Sequence, residues 1–368
     1  MHIVIDARNR RASTGRYTDR LVEHLQAIDT ENTYTILVQP DDEWQMTNHN
    51  FRTAPCRFEQ FSFNPWDQIA FAWQLYRLKP NLVHFTMTQQ PLFYFGNIVT
   101  TTHDLTMLHH LRPSRFAPWL HKIGEKLYRF LFWWAHKKSK KIIVPTDYVA
   151  QDLTKYQPFT RDKIVRTYES VDPLASGPAQ KPGFVEKPFI FHVGAPLPHK
   201  NIHRLIQAFE ILNASQPELK LVLPGKMKPV FKAELDGWIA VSPAKDSIVV
   251  PGFIPDEELK WLYENAECYV LPALSEGFGL PGLEAMEHGC PVASSNATCL
   301  PEVYQDAALF FDPYDVNDIA EKMKAIIDNP ALAKDLVAKG KKLLPRYSWR
   351  KMAEETLEVY TSVMEPKK

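Results

Sequence analysis

The sequence predicts an α/β protein of two doubly wound, Rossmann-like domains, each a parallel sheet covered by helices. Three observations carry that prediction. Short β-branched runs alternate with longer amphipathic segments, the alternation occurs once in each half, and a stretch rich in proline and glycine separates the halves. Strands that alternate with helices imply a parallel sheet buried on both faces. At 368 residues the chain is long for one core and comfortable for two.

In the first half HIVID (2–6), YTILV (34–38), LVHFT (82–86), NIVTTTHD (97–104) and KIIVPT (141–146) read as strands. FIFHVG (189–194), LKLVLPG (219–225), SIVVPGF (247–253), CYVLPA (268–273) and PVASS (291–295) repeat the pattern. Between them PLASGPAQKPGFVEKP (173–188) has little apolar content and reads as an interdomain linker. The domains are therefore expected at 1–172 and 189–346. Ligands of such sheets sit beyond the carboxyl ends of the strands, here in a central cleft that the two domains face. In 347–364, Trp349, Met352, Ala353, Leu357, Tyr360 and Val363 recur at helical spacing. That helix caps the second domain or crosses back to the first.

Composition excludes several classes. Hydrophobic content of 45% with 23% charge is ordinary for a globular enzyme. The formal net charge is zero, so no global field argues for nucleic acid. Cys56, Cys268, Cys290 and Cys299 lack C-x-x-C spacing and read as buried free thiols, with neither a zinc site nor a disulfide framework. The N-terminus enters a strand at once, and no run approaches the roughly eighteen apolar residues that span a bilayer. A cytoplasmic location is expected. RFAPWLHKIGEKLYRFLFWWAHKKSKK (115–141) is amphipathic, basic and aromatic. Phe116, Leu120, Ile123, Leu127, Leu131 and Trp134 fall on one helical face, with Lys122, Lys126 and Arg129 elsewhere. Such a stripe suits a core helix of the first domain. It also suits peripheral association with an anionic membrane, at its inner face, and then a lipid-linked acceptor.

The chemistry concentrates in SEGFGLPGLEAMEHGCPV (275–292). Glu276 stands beside a glycine-interrupted loop, and Glu284 follows eight positions on, just inside a helix. Pro281 suits the first helical position. Gly277 and Gly279 let the backbone turn and bring bare N–H groups close to a ligand. A helix start with open amides suits phosphate. Flanking carboxylates repel phosphate and are better placed to accept hydrogen bonds from sugar hydroxyls. The stretch reads as a nucleotide-sugar pocket. In APLPHKNIHRLIQAF (195–209), Lys200 lies in a turn suited to a diphosphate, and Asn201 can cap the helix that follows. No G-x-G-x-x-G follows the first strand, which excludes a nicotinamide dinucleotide site.

The Glu-x7-Glu spacing, the EGFGLP loop and the following EAM–HG–PV resemble the retaining glycosyltransferases of GT-B architecture, the "glycosyl transferases group one" family, and among its members with an N-terminal GRYT and HD pair like this one mannosyltransferases are frequent. The resemblance implies that Glu276 contacts the donor sugar and Glu284 the ribose, while the amides of Gly277, Phe278, Gly279 and Leu280 meet sugar and diphosphate. It implies that Lys200 neutralises the departing diphosphate. Relatives place an arginine shortly before that lysine where this chain has Ala195 and Pro196, so Lys226 is the candidate second cation. The HD at 103–104 resembles the family's histidine near the transferred sugar, and Gly15 with Arg16 matches part of its G-x-G-R-Y element. Gly252 and Phe253 would lie by the nucleobase. The C-terminal helix, 347–368, would cross back to the first domain.

The implied activity is that of a retaining hexosyltransferase in surface polysaccharide synthesis. Its expected substrate is a nucleotide sugar, GDP-mannose favoured and a UDP-sugar the alternative, with a glycan or lipid-linked glycan as acceptor. No cofactor beyond the donor is expected. No Asp-x-Asp is present to hold a metal against the diphosphate, so catalysis is expected to be metal-independent. A glycosidase would face two carboxylates across the anomeric carbon, and here both acids sit on one loop–helix unit. A nucleotide-sugar epimerase and a non-catalytic sugar-nucleotide-binding subunit are the alternatives. The missing arginine favours the latter slightly, and Glu276, Glu284 and Lys200 together oppose it.

Overall fold

A computed structural model describes residues 1–12, 14–58, 64–110, 118–174 and 177–365, apart from the side chains of 118, 120 and 121. The chain divides into two compact units, Met1–Glu169 with Ser348–Lys368, and Ser170–Tyr347.

Unit 1 runs β1 (His2–Asp6), α1 (Gly15–Ile28), β2 (Thr33–Val38), β3 (Phe51–Pro55), α2 (Pro65–Leu78), β4 (Leu82–Phe85), β5 (Ile98–Thr101), α3 (Thr106–His109), α4 (Pro118–Lys138), β6 (Lys141–Val144), α5 (Asp147–Tyr156) and β7 (Ile164–Arg166). Its seven strands lie in the order β3-β2-β1-β4-β5-β6-β7, all parallel. Successive side chains of a strand point to opposite faces. Ile3 and Ile5 therefore pack with Leu21, Leu25 and Ile36 on one face, while Val4 packs with Leu37, Val83 and Leu75 on the other. Both faces are covered, which is why these strands read as unbroken apolar runs.

Unit 2 runs β8 (Phe189–Phe191), α6 (Ile202–Asn213), β9 (Lys220–Pro224), α7 (Pro229–Ala240), β10 (Ile248–Gly252), α8 (Asp256–Asn265), β11 (Cys268–Leu271), α9 (Leu280–Glu287), β12 (Val292–Ser295), α10 (Leu300–Tyr304), β13 (Ala308–Phe311), α11 (Val316–Asp328) and α12 (Pro330–Leu343). The strand order is β10-β9-β8-β11-β12-β13, again parallel throughout. The order reverses direction at β8/β11 here and at β1/β4 in unit 1, the place where doubly wound sheets open a crevice at their carboxyl edge.

The final helix, α13 (Trp349–Met364), belongs to unit 1. Trp349, Met352, Ala353, Val359 and Tyr360 join the core with α1 and β1, and Leu357 and Val363 are partly buried against it.

Three expectations need correction. The chain leaves unit 1 at Glu169, ahead of the boundary at 172, and the 173–188 stretch is laid along unit 2. Leu174 N donates to His288 Nε2 at 3.4 Å, Gln180 N to Glu257 O at 3.0 Å, and Val185 is buried. β3, β7 and β13 were not foreseen, because all three are sheet edges whose half-exposed positions break the apolar run. The face of α4 is turned. Phe132, Ala135 and His136 face the core, whereas Ile123 and Leu127 stand exposed and Leu131 and Trp134 are half-buried. His136 fixes that rotation, its Nε2 lying 2.8 Å from Thr102 Oγ1 and its Nδ1 2.9 Å from Gln157 Oε1. The core reading of the stripe therefore fails over the exposed turns; Phe116 and the Leu120 side chain lie outside the described residues. Among the described residues no helix is long and apolar enough to cross a membrane.

Candidate active site

Lys200 closes a 3-10 turn, Pro198–Lys200, that follows β8. The next residue, Asn201, is fully buried with φ 60°. It takes the N-cap position of α6, but its side chain does not make the cap that the spacing predicts. Instead its Nδ2 donates to Pro272 O at 3.0 Å and Pro313 O at 2.7 Å, tying the lysine turn to the loops after β11 and β13. Leu274 N donates to His199 O across the same seam, at 2.7 Å. This bracing brings Lys200 Nζ to 2.6 Å from Glu276 Oε1, with side-chain exposures of 21% and 13%. Glu276 is itself pinned, its N–H donating to Thr298 Oγ1 at 3.2 Å and its carbonyl accepting from Cys299 Sγ at 3.3 Å. The contact is a short, charge-assisted one between two partly exposed side chains.

The loop then turns into α9. Gly279, at φ 87°, is the N-cap, so Leu280 is the first helical residue and Pro281 the second, one position later than predicted. Tyr304 donates its hydroxyl to the Gly279 carbonyl. A Cβ at Gly279 would lie 2.5 Å from Tyr304 Oη and 2.7 Å from Leu300 Cδ2. Gly279→Ala is thus expected to cost about 1–3 kcal/mol through left-handed strain and overpacking. The measurement is a urea midpoint; an unchanged value would show that the turn tolerates a side chain. Phe278 is buried edge-on to Tyr347, ring centroids 5.5 Å apart, so its ring belongs to the packing of this unit. One turn into α9 Glu284 is 5% exposed, and its Oε2 accepts from the Tyr263 hydroxyl at 3.0 Å. Burial, then the Glu284 charge, pushes the Tyr263 phenol well above its usual range, so it stays a donor.

The strand ends beside this cluster are stitched through glycines. Gly194 N donates to Pro224 O at 2.9 Å and Gly225 N to Gly252 O at 2.7 Å. A Cβ on Gly225 would lie 2.5 Å from Gly194 O, so no side chain fits there. Lys226 and Phe253, which follow Gly225 and Gly252, both stand exposed. Two buried residues escaped sequence reasoning. His192 donates from Nδ1 to Val270 O at 2.9 Å, and burial pushes its pKa down to about 4, with the Lys200 charge acting the same way. Its Nε2 has no hydrogen-bond partner among the described residues, and the Tyr269 ring stacks on it at 6.0 Å. Within FIFHVG and CYVLPA both read only as strand residues.

In unit 1, His103 follows β5. Its Nδ1 lies 3.0 Å from Glu169 Oε1 and its Nε2 3.0 Å from Thr86 O. The Thr86 carbonyl can only accept, so Nε2 carries a proton, and Nδ1 donates to Glu169 when the ring is charged. Burial opposes that charge, and the Glu169 hydrogen bond and charge, the Thr86 carbonyl and Asp104 together outweigh it and raise the pKa. Tyr17 meets the ring edge-on at 4.9 Å. Asp104 Oδ1 accepts from Thr106 N at 2.8 Å. Gly15 opens α1, where a Cβ would lie 1.9 Å from Arg10 O, so close packing requires glycine there. Glu169 was not singled out from sequence, since its partner lies 66 residues away.

The two halves match two family models. Residues 178–343 match the family described as Glycosyl transferases group 1, and residues 14–173 match Glycosyltransferase Family 4. The chain is 29% identical over 313 residues to O-antigen chain mannosyltransferase B of Escherichia coli, covering 78% of this chain and 76% of that one. It is 26% identical over 295 residues to O-antigen chain mannosyltransferase RfbU of Salmonella typhimurium, covering 76% and 78%. Sucrose-phosphate synthase from Thermosynechococcus elongatus shares the fold over 99% of both chains, with a TM-score of 0.79 at 17% identity. With parallel doubly wound sheets in both units, a match to each half and relatives aligned over three quarters of its length, the chain belongs to the GT-B glycosyltransferases.

Proposed function

We propose that this glycosyltransferase moves a hexose, mannose in our reading, from a nucleotide sugar to a glycan or lipid-linked glycan, with retention and without a metal ion. The observation that carries the reading is the Lys200–Glu276 pair at the loop that starts α9. An incoming diphosphate offers the ammonium a better partner than one carboxylate, and Glu276, once released, accepts a hydrogen bond from the sugar. Glu284 takes the ribose hydroxyls. The amides of Gly277, Phe278, Gly279 and Leu280 hold diphosphate and sugar, Gly252 and Phe253 the base, and Lys226 supplies a second cation. Gly15 and His103 keep the donor and sugar contacts that the resemblance implies; His103 would contribute its charge, both N–H groups being committed. As the bond from the anomeric carbon to phosphate breaks, the departing phosphate oxygen takes the acceptor's proton, and the new glycosidic bond forms on the same face. GDP-mannose is favoured because two relatives are named mannosyltransferases. The work would be done at the cytoplasmic face of a membrane, with α4 lying against it.

The test is thermal shift and product analysis with GDP-mannose, UDP- and ADP-sugars. GDP-mannose is expected to raise Tm by mass action and, with acceptor, to give an α-linked product whether or not EDTA is present. Inversion, or activity that EDTA abolishes and Mg²⁺ restores, would contradict the mechanism. Conversion of donor alone to another nucleotide sugar would favour an epimerase.

A further inference from the structure

Seventeen large apolar side chains stand exposed among the described residues, and eleven of them lie on α2, α4 and the loop between β4 and β5. Exposed apolar residues scattered singly need no explanation, but a contiguous group does. On α2, Trp66, Ile69, Trp73 and Tyr76 recur every three or four residues, opposite the buried Phe71 and Leu75. On α4, Trp119, Ile123, Leu127, Phe130 and Trp133 do the same opposite Phe132 and Ala135. The 91–95 loop joins the two stripes. Tyr76 Oη donates to Phe93 O at 3.3 Å and accepts from Phe95 N at 2.9 Å. From the other side Trp134 Nε1 donates to Leu92 O at 3.1 Å, its ring meets Phe95 edge-on at 6.4 Å, and Lys138 Nζ donates to Pro91, Leu92 and Tyr94 carbonyls. Held from both helices, the loop makes one surface of two stripes.

We infer that this whole surface, α2 and the 91–95 loop together with α4, is a docking platform for an anionic lipid bilayer. The inference rests on the membrane reading of α4 and adds a second helix that sequence reasoning did not mark. Charge selects the occupant. Besides Arg129 and Lys138, whose donors are held by protein oxygens, the two helices carry Arg77, Lys122, Lys126 and Lys137 against only Asp67 and Glu125, in a chain of zero net charge. Arg77 lies 4.5 Å over the Trp73 ring, a cation set among aromatics. Tryptophan and tyrosine seek the headgroup boundary, and basic stems reach along apolar surface to anionic phosphates. Between α2 and Phe93, Ile69, Ala72, Trp73 and Tyr76 line an apolar groove of about 360 Å³, open to receive acyl chain.

The experiment is flotation of the full chain with phosphatidylethanolamine vesicles containing phosphatidylglycerol, and with neutral phosphatidylcholine vesicles. The anionic vesicles are expected to bind, with affinity falling as salt rises. Trp66→Ser with Trp73→Ser, and separately Trp119→Ser with Ile123→Ser, are each expected to weaken binding about tenfold or more, since each removes two side chains from the apolar contact. All four are exposed, and unchanged circular dichroism and Tm confirm folding. If only the α4 pair matters, the platform is overturned while the α4 reading stands. If only the α2 pair matters, the α4 reading and the joint surface both fall. Equal binding to neutral vesicles overturns the choice of an anionic bilayer. No binding to either, by a folded chain, overturns both readings and leaves the surface to a protein partner.

Discussion

Replacing Lys200 with alanine is expected to lower kcat/KM about 10²- to 10³-fold, the loss of about 3–4 kcal/mol that follows removal of one preorganised contact to developing charge. Lys200 and Glu276 pair at 2.6 Å. That pairing gives the lysine two incompatible roles, a structural partner of Glu276 or a charge reserved for the diphosphate, and the two separate by experiment. A partly exposed pair contributes on the order of 1 kcal/mol or less to stability, so Tm should barely move in either case. If Lys200 served only to neutralise Glu276, adding Glu276→Gln to the alanine variant would restore turnover. The expected result is the opposite, with the double variant no better than either single one, because sugar and diphosphate each lose a contact. Lys200→Arg should recover little, since a planar fork cannot take the position of a compact ammonium in a turn braced by Asn201. Near-normal turnover of Lys200→Ala would refute the assignment.

What the sequence disclosed about this site, and what it hid, follows from range. The loop of 276–280 and the start of α9 were legible because glycine, proline and spacing act on neighbouring residues. Central strands were legible because burial on both faces leaves unbroken apolar runs such as Ile3–Ile5. The edge strands β3 and β7 lack that double burial, and their half-exposed residues resemble loop. The partners that hold the functional groups were hidden because each crosses the fold. Asn201 reaches loops at Pro272 and Pro313, Glu169 reaches His103, and Tyr263 reaches Glu284. Local propensity assigned Asn201 to a cap, and tertiary bracing overrode it. The rotation of α4 was hidden for the same reason: its sequence offers apolar residues on more than one face, and the His136 contacts choose which face turns inward.

Those buried histidines set the largest expected effect of pH. Between pH 6.5 and about 4 the protein should lose stability steeply, and unit 1 should lose it first. His84 is wholly buried in β4, its Nδ1 2.6 Å from Tyr360 Oη and its Nε2 2.8 Å from Thr101 Oγ1. Burial, with the nearby His103 charge, pushes it down to about 3. Burial pushes His136 in α4 down to about 4 against the opposing Gln157 hydrogen bond, and His192 in unit 2 to about 4 as well. A folded pKa below the unfolded 6.5 means that in this window the unfolded chain binds a proton that the folded chain refuses. The stabilisation is complete above 6.5 and is lost as pH falls toward the folded value, at about 1.4 kcal/mol per pH unit for each group. His103 has the opposite sign. Its raised pKa contributes stability that is fully present below 6.5 and lost as pH rises through the folded value, so it adds no slope on the acid side. Partial burial lowers His2 and His110 in unit 1 and His203 and His288 in unit 2, two in each, which leaves the contrast intact. Unit 1 then carries two strongly lowered imidazoles and unit 2 one. Over two pH units unit 1 would lose about 4–5 kcal/mol from those two alone, approaching the whole stability of a marginal domain. Hydrogen exchange read by mass spectrometry from pH 7 to 4 resolves the units: peptides of β1, β4 and α13 should lose protection before those of β8 and β11. Simultaneous loss, or flat protection down to pH 4, would mean that these imidazoles find water or a proton in the folded chain.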